Sequence, residues 1–583
     1  MRTIQEIIAI VKDSSSWLLY RRAEREIQKF KQDQRGLFNT KMKVAVLSSF
    51  TAGPLKDYLV VEAAKEGIDA EIYMSGFGQV SPEILNQESG LYAFEPDVTI
   101  IAATADSFAH NPFDAVEELI KLSAVRQERG TGILVVNTFM ALPDWPLHLL
   151  ETDRHAELKK ANDKLRETFS NNYQVQICDL DTLAAYYGYA NALSPQMQAM
   201  AHIPFSEGFL VLLAKKFVSY LKAQAGLVRK CLVLDCDNTL WGGIIGEDGM
   251  DGIALGPDWP GREFVDFQKA ILELYQQGVI LAINSKNNYA DVTQVLREHP
   301  HMILKEEHFA GICVNWNSKP DNMKTLADEI NIGLDSFVFI DDNPAERQMM
   351  RQMLPEVEVL ELSDNPALYA KSLRETNFFA KASLTEEDKK RGQIYAAQRR
   401  RNQLQQSAAT LEDYLKSLEM VCSIRAAEEK DVKRAAQLTQ RTNQFNLTAR
   451  RYTETEIQHM IADSNWNVYV LGLRDKFGDN GTVGLALLEK HQDVWRVDTF
   501  LMSCRVIGRQ VEEAFVNRIC FDAVNTSVKR LGAEYIRTKK NILVSDFWGK
   551  MNFSKDRSDE NTTYYHYDLD NYTSGTFEHL KFE

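Results

Sequence analysis

From Lys43 onward, short apolar runs of strand length alternate with longer amphipathic stretches, and the runs commonly stop on a polar residue. The first series spans residues 43–49, 70–74, 97–103, 132–137 and 173–179. Runs this short and this apolar suit strands covered on both faces, and the segments between them supply helices as the cover, so the pattern predicts a parallel sheet. A second series begins at residues 230–235 and continues through 279–285, 311–315 and 336–342. Open parallel sheets bind ligands beyond the carboxyl ends of their strands, which is where the closing Asp235, Ser285 and Asp341–Asp342 would gather.

This division predicts an α/β multidomain chain. Residues 1–40 form a helical segment, with Ile4, Ile7, Ile8 and Val11 at helical spacing. A first parallel α/β domain covers residues 41–225 and a second covers 226–380. Residues 381–418 carry dense mixed charge and read as a solvated helical linker. A third domain, residues 419–583, has strand candidates at 467–473, 481–489 and 494–502 before helices near 508–531.

A chain of 583 residues is too long for one core, and its 44% hydrophobic content is that of packed domains. The formal net charge of −15 leaves no general basic surface for nucleic acid or anionic lipid. Seven cysteines without a CxxC pair read as reduced thiols, so a cytoplasmic location is expected. The apolar patch near the N-terminus is broken by Lys12 and Asp13, which argues against a signal peptide, and no apolar run is long enough to span a bilayer. Neither nucleic acid nor membrane is an expected partner.

The second domain carries the chemistry. Asp235 and Asp237 stand two apart at a strand end. They can meet one Mg²⁺ if Asp237 offers its main-chain carbonyl while its side chain turns towards a substrate. Mg²⁺ requires hard oxygen ligands, and Asp341–Asp342 supply further carboxylate. Phosphoryl transfer also needs an in-line nucleophile, a proton donor and positive charge against the phosphoryl oxygens. Asp235 fits the first role and Asp237 the general acid and base, while Ser285 would hydrogen-bond the phosphoryl group and Lys319 neutralise it. Thr239, Asn284, Lys286 and Asn287 fall in the same segments and are expected to contact substrate.

The order Asp235-Cys-Asp237-Asn-Thr239, Ser285, Lys319, Asp341-Asp342 resembles the four motifs of the haloacid dehalogenase superfamily. The longer stretch from Leu234 to Gly249, with Ser285-Lys-Asn-Asn and Asp341-Asp-Asn-Pro-Ala-Glu-Arg, is similar to its FkbH-like subfamily, and the likeness extends through the flanking domains. Members of that subfamily take a glyceryl group from 1,3-bisphosphoglycerate, expel phosphate and pass the acyl group to an acyl carrier protein. Such members have a cysteine just before the motif-two serine, where this chain has Asn284. An amide cannot form the thioester. Cys236 points away from the two aspartates by strand alternation and reads as a buried core residue. Phosphatase chemistry on a small phosphorylated acid or acyl phosphate, through an aspartyl-phosphate, is the leading expectation. Glyceryl transfer and a noncatalytic carrier-protein assembly module are the alternatives.

The first α/β domain resembles a degenerate SGNH-hydrolase domain, with Ser49 at the nucleophile's place, Asn137 as oxyanion donor and His202 as base. Ala199 stands where the aspartate partner of that histidine would be, so the triad is incomplete. The third domain is similar to GCN5-related acyltransferases. That resemblance implies a pyrophosphate cradle at Arg505, Gly508 and Arg509 for coenzyme A or a phosphopantetheine arm, and a helix start packed at Gly508 is the other reading. Thr442–Thr448 is a further FkbH-like segment, either lining a site or capping a helix end.

Overall fold

The computed structural model of the chain describes all residues except 1–3, 13, 34–37, 39, 106–110, 142–152, 171, 173, 381–385, 443, 492, 504–505, 527 and 539. The chain is mixed α/β and multidomain, with two parallel sheets and one mixed sheet. It forms two compact units, one of residues 1–230 and 374–385, the other of residues 231–373 and 386–583.

In the first unit, β1 (Thr40–Ser48), β2 (Ile68–Met74), β3 (Val98–Ala102), β4 (Ile133–Asn137) and β5 (Val175–Cys178) form a parallel sheet of order β2-β1-β3-β4-β5. Helices cover both faces. On one, Val44 and Val46 pack with Tyr58 and Leu59 of the helix Gly53–Lys65 and Phe209 and Phe217 of the helix Glu207–Gln224. On the other, Ala45 and Leu47 meet Leu119 of the helix Pro112–Arg129 and Leu165 of the helix Asp153–Phe169. The helix Trp17–Asp33 belongs to this core through Tyr20, Ala23 and Ile27. Residues 374–380 are held in the same unit, where Lys222 donates to Asn377 and Asn377 to Glu66.

The second unit contains β6 (Cys231–Leu234), β7 (Ile280–Ser285), β8 (Phe309–Val314), β9 (Phe337–Ile340) and β10 (Glu358–Val359), parallel in the order β10-β9-β6-β7-β8. It also holds an eight-stranded mixed sheet built from β11 (Met420–Ala426), β12 (Trp466–Asp475), β13 (Gly478–Lys490), β14 (Val494–Met502), β15 (Arg530–Ile536), β16 (Ser554–Ser558), β17 (Thr562–Asp568) and β18 (Leu580–Phe582). Its pairs are antiparallel except β14 with β15 and β11 with β18.

The expected solvated linker is a packed element instead. The helix Glu386–Ser407 lies against β8 and β13, and Ala396, Ala397 and Arg401 are buried. Arg401 donates from Nε and Nη2 to the Asp475 carboxylate at 2.7 and 2.8 Å, with both side chains out of solvent. Arg399 meets Glu306. A charged helix can be packed when cations such as Arg399 and Arg401 meet acids brought from elsewhere in the fold, which local charge density does not reveal. Among the described residues, no helix is long and apolar enough to cross a membrane.

Candidate active site

β6 lies between β9 and β7, and the register pairs Leu234 with both Ile340 and Ile283. Three adjacent strands therefore end at one level, and Asp235, Asp341 and Asn284 each follow one of those paired residues. The Asp235 amide donates to the Ile340 carbonyl at 3.0 Å, carrying the strand pairing one step further. Beyond it the chain turns sharply, with Asn238 at φ 52° and the Thr239 and Leu240 amides both bonded to the Cys236 carbonyl. Asp237, just before that turn, sits among its own donors.

Lys319 opens the helix Lys319–Ile330, capped by the Ser318 hydroxyl. Its ammonium lies 3.0 Å from Asp235 Oδ1 and 2.5 Å from Asp341 Oδ2, with all three residues buried. Burial opposes its charge, yet the two carboxylates outweigh burial and hold the ammonium above its ordinary range. One oxygen each from Asp235, Asp341 and Asp342 lies within 4.8 Å of the others. Burial and then the Asp235 charge push Asp341 up to about 7, and the same two causes raise Asp342. Three carboxylates outnumber the one ammonium and present hard oxygen donors. This donor set fits Mg²⁺.

Asp237 is not one of those three. Its Oδ1 accepts from Trp241 Nε1 at 2.9 Å and from the Ile245 amide at 3.1 Å, and its Oδ2 accepts from Asn287 Nδ2 at 2.8 Å. Burial raises its pKa despite these donors, and Asp235 adds to the rise. Ser285 is buried at the end of β7. Lys286 pairs with Glu346 at 2.7 Å.

Two of the expected substrate contacts are structural. The Thr239 hydroxyl, fully buried, accepts the Asp342 amide at 3.2 Å and fixes the two strand-end loops together. Asn284, also fully buried, donates to the Lys319 carbonyl at 2.8 Å and accepts from Asn322 at 3.2 Å. Both ends of its amide are used in seating the helix that carries Lys319. Asn287 likewise spends its amide on Asp237. The Cys236 thiol is buried, and burial together with the Asp235 charge pushes it well above the thiol range.

Arg347 has no role among the sequence-based expectations. It is buried on the helix Pro344–Met353, donates to the main-chain carbonyls of Asp341 and Asp342 at 2.8 and 2.7 Å, and meets Glu361 at 3.0 Å. Its place six residues after Asp341, one helical turn into the next element, was the available signal.

The other expected sites fare differently. Asn137 is no oxyanion donor, because its Nδ2 donates to the Ala103 and Thr138 carbonyls and its Oδ1 accepts the Ala103 amide. The Ser49 hydroxyl accepts from the Thr104 amide at 2.9 Å, and among the described residues no hydrogen bond joins it to the His202 ring, which lies against Phe77. In the third sheet's domain the Gly508 amide donates to Glu512 at 3.1 Å. Arg509 is buried against Asp475 and Gln398. The nearby Glu512 carboxylate thus takes the Gly508 amide, and Arg509 is engaged by Asp475 and Gln398. Arg505 lies outside the described residues.

No family model matches the chain, and no curated protein sequence matches it. Among solved structures, the chain is similar to the N-terminal part of the protein BF1531 from Bacteroides fragilis, which contains a phosphatase domain and is complexed with Mg. The identity is 27% and the TM-score 0.56, over 66% of this chain and 100% of that one. The ribosomal-protein-S18-alanine N-acetyltransferase of Escherichia coli matches at 11% identity and a TM-score of 0.21, over 27% of this chain and 97% of its own. Ard1 from Thermoplasma volcanium matches at 15% identity and a TM-score of 0.21, over 25% of this chain and 97% of its own.

Proposed function

We propose that the chain is a Mg²⁺-dependent phosphatase of the haloacid dehalogenase type, acting on a small phosphorylated acid or acyl phosphate through an aspartyl-phosphate at Asp235. The observation that supports this most is the cluster of buried Asp235 and Asp341 with half-buried Asp342 beside Lys319 at adjacent strand ends. The phosphatase domain in the Bacteroides fragilis protein, complexed with Mg, supports the same reading.

When bound, Mg²⁺ neutralises the carboxylates and the phosphoryl oxygens. Asp235 Oδ attacks phosphorus as the bond to the leaving oxygen breaks, and a phosphate ester's departing alkoxide takes a proton from Asp237. The raised pKa of Asp237 suits it to carry that proton, and Trp241, the Ile245 amide and Asn287 fix its direction. Asp237 then takes a proton from water as the water's oxygen attacks phosphorus. The phosphate–Asp235 bond breaks, leaving inorganic phosphate and a free carboxylate. Lys319 holds charge against the phosphoryl oxygens throughout.

Acyl transfer through the strand end has less support, because Asn284 is no nucleophile and the Cys236 thiol is held protonated. The test is incubation of the full chain with phosphorylated three-carbon acids and 1,3-bisphosphoglycerate, with and without an acyl carrier protein, following phosphate release and intact mass. Mg²⁺-dependent phosphate release without acyl loading is expected. Loading of the carrier, or no release from any acid, counts against the reading.

A further inference from the structure

Within the second unit, a cavity of about 390 Å³ opens between the helix Glu386–Ser407, the turn joining β12 to β13, and the short helical turn Glu306–His308. Its volume is in the range of small-molecule sites. It shares no residue with the cluster around Lys319. Tyr275, His308 and Phe477 give it an aromatic wall, and Arg400, Arg401 and Asn480 also line it.

Each of those last three has a donor left over. Among the described residues, Arg400 Nε, Arg401 Nη1 and Asn480 Nδ2 are buried and have no hydrogen-bond acceptor. Arg401 is 1% exposed and Asn480 4%. The Arg401 fork is locked edge-on to Asp475 through Nε and Nη2, which leaves Nη1 as its outer donor. The Arg400 and Arg401 guanidinium carbons lie 5.7 and 5.9 Å from the centre of the Phe477 ring, so one aromatic ring bears on both cations.

A buried donor without an acceptor is destabilising, and more so when it is charged. Three in one cavity form a costly arrangement unless an acceptor-rich partner enters. The charge balance points the same way. Asp475 is already shared between Arg401 and Arg509. Glu307 and Asp479, the cavity's acids, are exposed to solvent, which screens them. Planar guanidinium groups match phosphate oxygens better than they match a point anion.

We propose that this cavity is a second binding site, separate from the catalytic cluster, for a phosphate dianion, whether inorganic phosphate or the head of a small phosphate monoester. Arg400 Nε, Arg401 Nη1 and Asn480 Nδ2 hold the oxygens, and Phe477 and Tyr275 flank whatever carbon body is attached.

The test uses the full chain in Mg²⁺-free buffer. Crystals soaked in tungstate should show an anomalous peak within hydrogen-bond reach of the three donors. Calorimetric titration with inorganic phosphate and with glycerol 3-phosphate should lose at least tenfold in affinity at this site in Arg400→Gln, with phosphate release by the catalytic site, assayed separately with Mg²⁺ present, unchanged. Asn480→Leu, which leaves both arginines in place, should weaken binding by a smaller factor. Tighter binding of glycerol 3-phosphate than of phosphate assigns the site to an ester, and equal binding assigns it to the free ion. A cavity holding only water in soaked crystals, or affinities unchanged in both folded variants, overturns the proposal.

Discussion

The two parallel sheets are built alike and used differently. Each has five strands, and polar residues stand at or just past several strand ends, Ser49 and Asn137 in the first and Asp235, Ser285 and Asp341 in the second. In the first sheet those residues cancel locally, with Asn137 spending its amide on the Ala103 backbone and the Ser49 hydroxyl accepting the Thr104 amide. In the second they leave a surplus, since three carboxylates face one lysine. A strand-end polar residue is thus a weak indicator of chemistry until its partners are counted. Surplus charge that the protein does not itself satisfy marks the working site.

The sharpest way to break this contrast is at Asp235. Asp235→Asn should keep the fold yet lose at least about a thousandfold in phosphate release, because nucleophile and charge go together. Melting curves and initial rates check this, and near-normal turnover by the folded variant removes Asp235 from the mechanism. Lys319→Met comes next. It leaves the buried carboxylates without their internal cation, a loss of about 3–5 kcal/mol in metal-free buffer. Added Mg²⁺ should recover more melting temperature in this variant than in the wild type, whereas equal recovery would separate Lys319 from the metal cluster.

Removing amides should give smaller and purely structural effects in both sheets. Asn137→Ala uncovers the buried Ala103 amide and carbonyl, and Asn284→Ala uncovers the Lys319 carbonyl, each costing about 1–3 kcal/mol in denaturant midpoint analysis. Asn137→Ala should leave the KM for the phosphorylated substrate unchanged, and a raised KM would give the first sheet a part in substrate binding. Smallest of all is Ser49→Ala. Phosphate release and stability should both stay near wild type, and loss of any ester hydrolysis in this variant would restore a catalytic role to the first sheet.

Much of this was legible locally. The apolar runs mark both parallel sheets because a strand buried on two faces has little choice of residue. The Asp235–Thr239 and Asp341–Asp342 segments are legible because the chemistry confines them to adjacent positions. Partners brought from afar were not legible. Arg347 looks like a helix surface charge until its guanidinium is seen holding two carbonyls. The strand Ser554–Ser558, all exposed and without apolar alternation, pairs only because β17 offers it a ladder. Asn284 reads as a substrate contact beside Ser285, and only its bond to the Lys319 carbonyl shows that it faces a helix.

The helix Glu386–Ser407 has a consequence for how such chains can be recombined. Its Arg399 answers Glu306 of the parallel-sheet half, and its Arg401 answers Asp475 of the mixed-sheet half. A crossover that acquired the mixed sheet without this helix would inherit a fully enclosed Asp475 with Arg509 as its remaining cation. One that kept the parallel sheet alone would expose the apolar strip that Ala396 and Ala397 cover. The helix therefore acts as a shared inheritance, tying two sheets into one heritable block and placing tolerated break points outside it.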